Sequence, residues 1–432
     1  MRKVKESLKN IDLKLYAALL FLGLCPALFT TVRTNFLGQL PRDYAYSIAG
    51  QLSWVSLIYE VINEAIILPL FYFLSRGDKK EFSNRIRSGL CVTAAVHAVC
   101  ALIVSVFAMP LLRFMAVSPD LIPESAAYIR WESIAFIFTV LFDFALVGLI
   151  TIGKEKSIYL LTAVKCLLCI MFDSLFLSSL PFSLDLGVNG VAFSNMLSAL
   201  ILFVTALFMI QRSGFVVYST EKLSFAWMKE CVRISGISGL ESFVRNAAYM
   251  LMVSRMVNMV GEQGTYWVAN NFIWGWLLLP VLQLGELIKR DVAENIENVK
   301  KNTAGYTVIT GIICTLWIAA IPLYKPFMAH VLGYSDTDKL YRLVMILLGF
   351  YMCFAFQNIF DATFYGAGKT NYMLFESVVT NTIYYGAFFA AYKAGIWVPS
   401  LTGIALMFGF GNLFDSLVSG AAYLYFREKI RS

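Results

Sequence analysis

Long apolar stretches recur from one end of the chain to the other, separated by short polar segments. A helix rising 1.5 Å per residue needs about 20 mostly apolar residues to cross a hydrocarbon core about 30 Å thick. Stretches of that kind fall at 14–38, 45–74, 89–112, 125–151, 157–180, 188–211, 234–258, 265–288, 304–328, 341–366, 370–393 and 400–426. They predict an all-α polytopic membrane protein of about twelve transmembrane helices. The second, fourth and tenth stretches carry polar residues and are the weaker spans. The opening MRKVKESLKNIDLK is basic, but no small-residue cleavage site follows a short apolar core. The first stretch therefore reads as a retained helix and not a cleaved signal peptide.

Composition supports the same class. Hydrophobic residues make up 59% of the chain and charged residues 15%, whereas soluble chains carry about 25% charged residues. With 35 Phe and 22 Tyr as well, that apolar mass needs lipid as its solvent. The net charge of +7 raises the question of a nucleic-acid partner, but the basic residues sit in short clusters between apolar runs, as topology signals do. If the N-terminus is cytoplasmic, 24 of the 35 Lys and Arg fall in inner segments and 6 in outer ones. Both termini are then expected on the cytoplasmic side, which an even number of spans allows. Cys166 and Cys169 form a CxxC, but on an apolar helix with no βαβ context, so they read as packing residues. His97 and His330 are the only histidines and lie far apart, which argues against zinc.

The longest inner polar segment between spans lies at about 212–233, near the midpoint. It divides the chain into lobes 1–213 and 234–432 joined by a cytoplasmic linker, 214–233. The lobes share landmarks. ITIGKEKSIYLL at 150–161 and YGAGKTNYMLF at 365–375 each place Gly-Lys at a cytoplasmic turn before an apolar run. GVNGVAF at 187–193 and LTGIAL at 401–406 open the sixth and twelfth spans. Two six-helix bundles of equal orientation are parallel repeats, an arrangement suited to alternating access.

A charge at mid-bilayer costs about 2.5–3.5 kcal/mol on insertion scales, so each embedded charge needs a partner, a cavity or a task. Glu60, Asn63 and Glu64 share one face of the second span. Two carboxylates so close would repel in a dry site, so one could hold a proton or a cation could lie between them. Facing a wet vestibule with no specific task is the other reading. Glu241, Arg245 and Asn246 lie on the seventh span, with Glu241 and Arg245 spaced for an i,i+4 pair; a structural pair and a substrate contact both fit. Asp173 sits in the apolar run CIMFDSLF of the fifth span, hydrogen-bonded to neighbouring helices or serving ion binding or gating. Asp143, Glu286, Asp361 and Asp415 are further embedded acids, nearer span ends or less isolated. Arg33, near the outer end of the first span, could snorkel to the interface. Trp267, Trp274 and Trp276 read as an interfacial belt.

Residue strings now carry a resemblance. Tyr365-Gly366-Ala367-Gly368-Lys369-Thr370 resembles the RGAGDT turn of the multidrug and toxic compound extrusion (MATE) family. Phe172-Asp173, followed by Leu186-Gly187-Val188-Asn189-Gly190-Val191-Ala192, resembles its LD…GVAGAA stretch, and Phe36-Leu37-Gly38 resembles its FVG. The chain is similar to this family over essentially its whole length, within the wider group of multidrug, oligosaccharidyl-lipid and polysaccharide flippases. The resemblance implies a V-shaped pair of six-helix lobes that exports organic compounds against inward Na⁺ or H⁺ flow. Asp173 matches the family's acid on the fifth span. The VDTIFVG-like stretch reads Val32-Arg33-Thr34-Asn35-Phe36-Leu37-Gly38 here, so Arg33 stands where the family carries an acid. Glu60 and Glu64 are candidates to replace that acid, or Arg33 pairs with one of them. Asn246 falls near the position of an acid that some members use on the seventh span, with Glu241 little more than one turn away.

The resulting expectation is a secondary active transporter, not an enzyme. It would be a monomer in a bacterial or archaeal cell membrane, taking a small organic substrate and contacting membrane lipids and no nucleic acid. Asp173, Glu60 and Glu64 would handle H⁺ or Na⁺, with no other cofactor or metal. Glu241, Asn246, Arg33, Arg245 and Asn63 would line the substrate cavity. Arg33 and Arg245 keep open an alternative, a flippase of a lipid-linked saccharide or other anionic lipid-like substrate.

Overall fold

A computed structural model describes residues 2–40, 44–67, 74, 78–154, 156–219 and 222–431; within these, the side chains of 2–5, 65, 230–238, 241, 430 and 431 lie outside the description. The architecture is all-helical among the described residues, and each of the twelve predicted spans contains a helix. Among the described residues, eight helices are long and apolar enough to cross a membrane, including Leu13–Gln39, Lys79–Val106, Thr337–Gly366 and Leu401–Lys429. A ninth span is broken: Gln263–Leu277 and Leu279–Glu294 meet at an angle of 53°. Pro280 explains the break, because it has no N–H to give to the preceding turn and its ring crowds that turn's carbonyl.

The fourth and tenth spans, the weaker ones by sequence, are among the strongest in the structure. Their polar residues point inward: Glu132 is buried and accepts a hydrogen bond from Asn195 Nδ2 at 2.9 Å, and Gln357 and Thr363 are buried too. Many large apolar side chains face outward instead. Leu102, Leu167 and Leu417 are 64%, 68% and 66% exposed, an orientation that water would penalise and lipid does not.

By Cα proximity the chain forms two compact units, residues 36–250 and residues 1–35 with 251–432. This division differs from the one set by the duplication. The first span packs with the C-terminal set: Tyr16 donates to Pro280 O at 2.8 Å, Trp276 Nε1 to Thr31 Oγ1 at 2.9 Å, and Asn35 Nδ2 to Val331 O at 3.1 Å. The seventh-span helix Met228–Tyr249 packs against Leu52–Ile66, both within unit 36–250. Trp274 likewise donates to Tyr351 at 3.2 Å, so the indole N–H groups of Trp274 and Trp276 both find partners within the protein.

In unit 36–250 the core is built from Ile86, Phe144, Leu149, Leu202 and Ile210, with a second cluster around Trp54, Tyr59, Leu112 and Ile129. In the other unit Leu284, Ile288, Tyr306, Phe364 and Phe426 form the core. The basic N-terminal tail contributes there: it forms the helix Arg2–Asn10, which lies on Asn298–Ala319. Ser7 Oγ donates to Asn302 O at 2.9 Å and accepts from Gly305 N at 2.8 Å.

The two Gly-Lys turns are built alike. Gly153 and Gly368 have φ of +76° and +65°, a left-handed conformation that glycine adopts without steric cost. In each, the following Lys N–H reaches back to close the helix, Lys154 to Leu149 O at 2.9 Å and Lys369 to Phe364 O at 2.8 Å, a Schellman-type end. Sequence landmarks of the repeat are therefore equivalent in backbone geometry.

Candidate functional site

The predicted carboxylates Glu60 and Glu64 lie one turn apart on Leu52–Ile66, with Asn63 between them. Arg245, on Met228–Tyr249, reaches both: its Nη2 is 2.9 Å from Glu60 Oε1 and 3.3 Å from Glu64 Oε1. The three side chains are 37%, 40% and 24% exposed in the order Arg245, Glu60, Glu64. One guanidinium thus bridges two carboxyl groups, which relieves their repulsion. Arg245 is the counter-ion for Glu60 and Glu64, a part for which sequence offered Arg33. The expected pair of Arg245 with Glu241 falls on a side chain outside the described residues.

The flanking residues lock this junction. Asn246 is buried, and its Nδ2 donates to Leu57 O at 3.1 Å and lies 3.4 Å from Ser242 Oγ. Asn63 Oδ1 is 2.8 Å from His97 Nε2, and His97 Nδ1 is 2.9 Å from Thr93 O. His97, one of the two histidines, is thereby an inter-helix strap, a role its sequence position does not announce.

The remaining predicted residues lie elsewhere. Asp173 is fully buried on Lys156–Phe176, a helix that packs on Asn189–Arg212 and Ile122–Thr151. Lys165, two turns before it, places its ammonium over the Phe142 ring at 5.8 Å. Arg33 belongs to the other compact unit. It is 8% exposed and its guanidinium sits 5.7 Å over the Phe29 ring, so it is held in the protein and does not snorkel to the interface.

A second polar centre escapes the sequence reading. Gln357, buried on the tenth span, has its Nε2 at 2.7 Å from Asp415 Oδ2, 3.1 Å from Glu376 Oε1 and 3.2 Å from Asp361 Oδ2. Thr380 donates to Asp415 Oδ1 at 2.6 Å and Ser419 to Asp361 Oδ1 at 2.7 Å. Three carboxylates from the tenth, eleventh and twelfth spans thus surround one amide. The available signals were the i,i+4 pairs Gln357/Asp361 and Asp415/Ser419, each of which puts two polar groups on one face of a spanning helix.

The fold defined by these helices is that of the MATE transporters. A multidrug resistance MATE family transporter of the MOP superfamily, solved in an inward-facing conformation, is similar at a TM-score of 0.78 and 18% identity, over 94% of each chain. A mutant MATE transporter of Vibrio cholerae is similar at a TM-score of 0.69 and 14% identity, over 99% of each chain. A MOP superfamily transporter of Pyrococcus furiosus, described as having a binding pocket of reverse polarity that suggests a different function, matches at 0.69 and 17% identity over 100% of this chain and 98% of that one. No family model and no curated protein matches the sequence. The fold thus persists where sequence similarity has all but vanished, as expected when membrane packing and turn geometry constrain the chain more than its chemistry does.

Proposed function

We propose that the chain is a secondary active transporter, exporting amphipathic organic compounds by H⁺- or Na⁺-coupled antiport with alternating access. The observation that carries this reading is the MATE fold over essentially the entire chain, combined with ionisable groups retained in its spanning helices. Fold analogy supplies the class of activity; the embedded acids supply the means of coupling. Asp173, Glu60 and Glu64 are the proposed ion-coupling residues. Asn63, Glu241, Asn246, Arg245 and Arg33 are the proposed cavity residues. The protein would work as a monomer in a bacterial or archaeal cell membrane, with both termini cytoplasmic.

Arg33 favours a second reading, a flippase of a lipid-linked saccharide or another anionic lipid-like substrate, because a buried cation stands where the resembling family carries an acid. Arg245 lends that reading less support, because it is paired with Glu60 and Glu64. Export of an amphipathic compound is therefore the reading we adopt.

The test is uptake into proteoliposomes under separate Na⁺ and pH gradients, using a fluorescent amphipathic cation. Wild type should accumulate it under one gradient. Asp173→Asn and Glu60→Gln should each cut the gradient-driven component by about tenfold, the size of a typical coupling free energy. Unchanged coupling in both variants would overturn the assignment of these residues. Gradient-driven movement of an anionic lipid-linked sugar, with no movement of the cation, would favour the flippase.

A further inference from the structure

The centre around Gln357 is not accounted for by the residues assigned above. It draws on three helices, Thr337–Gly366, Thr370–Val379 and Leu401–Arg431. Its side chains carry three acids within hydrogen-bond reach of one amide nitrogen. That nitrogen bears two hydrogens, so it cannot satisfy three carboxylate oxygens at once. Two further donors are neutral hydroxyls: Thr380 donates to Asp415, and Ser419 donates to Asp361 and also acts on Glu376.

Glu376 is the most constrained of the three. It is 4% exposed, and its Oε2 is buried with no hydrogen-bond partner. The charged groups that act on it from the helices packed against its own are Asp361 and Asp415, both acids. An ionised Glu376 would therefore carry an unsatisfied oxygen and two acidic neighbours in a low-dielectric site, an unfavourable combination. A neutral carboxyl avoids both penalties. A metal ion does not suit the place: the position common to the three carboxylates is taken by an N–H donor, and no metal-holding group of acids, His and Cys occurs among the described residues.

We infer that Asp361, Glu376 and Asp415 form a proton-binding site, with the proton carried on Glu376. A proton adds to the Glu376 carboxylate to give the neutral carboxyl, and its release restores the negative charge beside Asp361 and Asp415. Gln357 is the positioning residue, since its amide gathers all three acids around one point. The site deepens the transport reading by offering H⁺ as the coupling ion, and it rests on that reading only for its use in transport.

The experiment is infrared spectroscopy of the full chain in lipid nanodiscs across a pH series, following the C=O stretch of protonated carboxyls. Wild type should show such a band at neutral pH, and Glu376→Gln should lose it while Glu60→Gln keeps it. Asp361→Asn and Asp415→Asn each remove one like charge, so the band should disappear at lower pH than in wild type. These two variants keep the test open if Glu376→Gln does not fold. Absence of the band in wild type at neutral pH, or the same band in Glu376→Gln, would overturn the proposal. No flux enters this measurement, so a protein that binds the proton but moves no solute would sink the transport reading alone.

Discussion

Gln357→Leu should lower the stability of the folded chain by about 3–4 kcal/mol, the cost of leaving buried charged acceptors without their donor. Leucine fills a similar volume, so the loss is electrostatic and not a matter of packing. Gln357 is 2% exposed, and its Nε2, with two hydrogens to give, lies within hydrogen-bond reach of Asp361, Glu376 and Asp415. Without that donor, the carboxyl groups of three different helices face one another across a buried gap. Thermal unfolding in detergent should show a lowered midpoint, and Glu376→Gln added to Gln357→Leu should recover part of the loss by removing one acid. Such a recovery is the coupling a double-mutant cycle measures. Equal stability of wild type and Gln357→Leu would mean that the amide does not hold this centre together.

Arg245→Ala should cost about 2 kcal/mol. Removing one partner of a buried ion pair costs more than the pair was worth, because the orphaned charge stays behind. Here two charges stay behind, on Glu60 and Glu64, within one helical turn of each other. Their partial exposure, 40% and 24%, lets solvent screen them and keeps the cost below the full buried value. Arg245→Ala combined with Glu60→Gln and Glu64→Gln should regain most of the loss. If the triple variant is no more stable than Arg245→Ala, the effect lies in lost packing of the Arg245 stem and not in charge.

The spans were legible in sequence because lipid imposes a length and an apolarity on every crossing helix. The Gly-Lys turns were legible because a left-handed helix end selects glycine. The face shared by Glu60, Asn63 and Glu64 was legible because it is local, set by spacings of three and four. Their partner was not: Arg245 lies 185 residues from Glu60 and 181 from Glu64, and no local rule reaches that far. The same limit hid the Gln357 centre. No local spacing marks Glu376 as part of a cluster, while Asp361 and Asp415 read as separate embedded acids. Only packing of the tenth, eleventh and twelfth spans gathers them. Arg33 shows the opposite failing. Its substitution for a family acid was visible at once, but its burial over Phe29 needed the folded chain. The first helix itself packs with residues 251–432, which a division by duplication alone does not foresee.

The central claim is antiport, and counter-flow tests it most directly. Proteoliposomes carrying an internal pH indicator, held at a steady pH gradient, are given the amphipathic cation from outside, and the same is done with a Na⁺ gradient and a Na⁺ indicator. The account predicts that adding solute makes one of the two gradients collapse faster, in proportion to solute entry, and that protein-free liposomes show no such change. Solute entry that leaves both gradients decaying at their unstimulated rates, or no solute entry under either gradient, would contradict it.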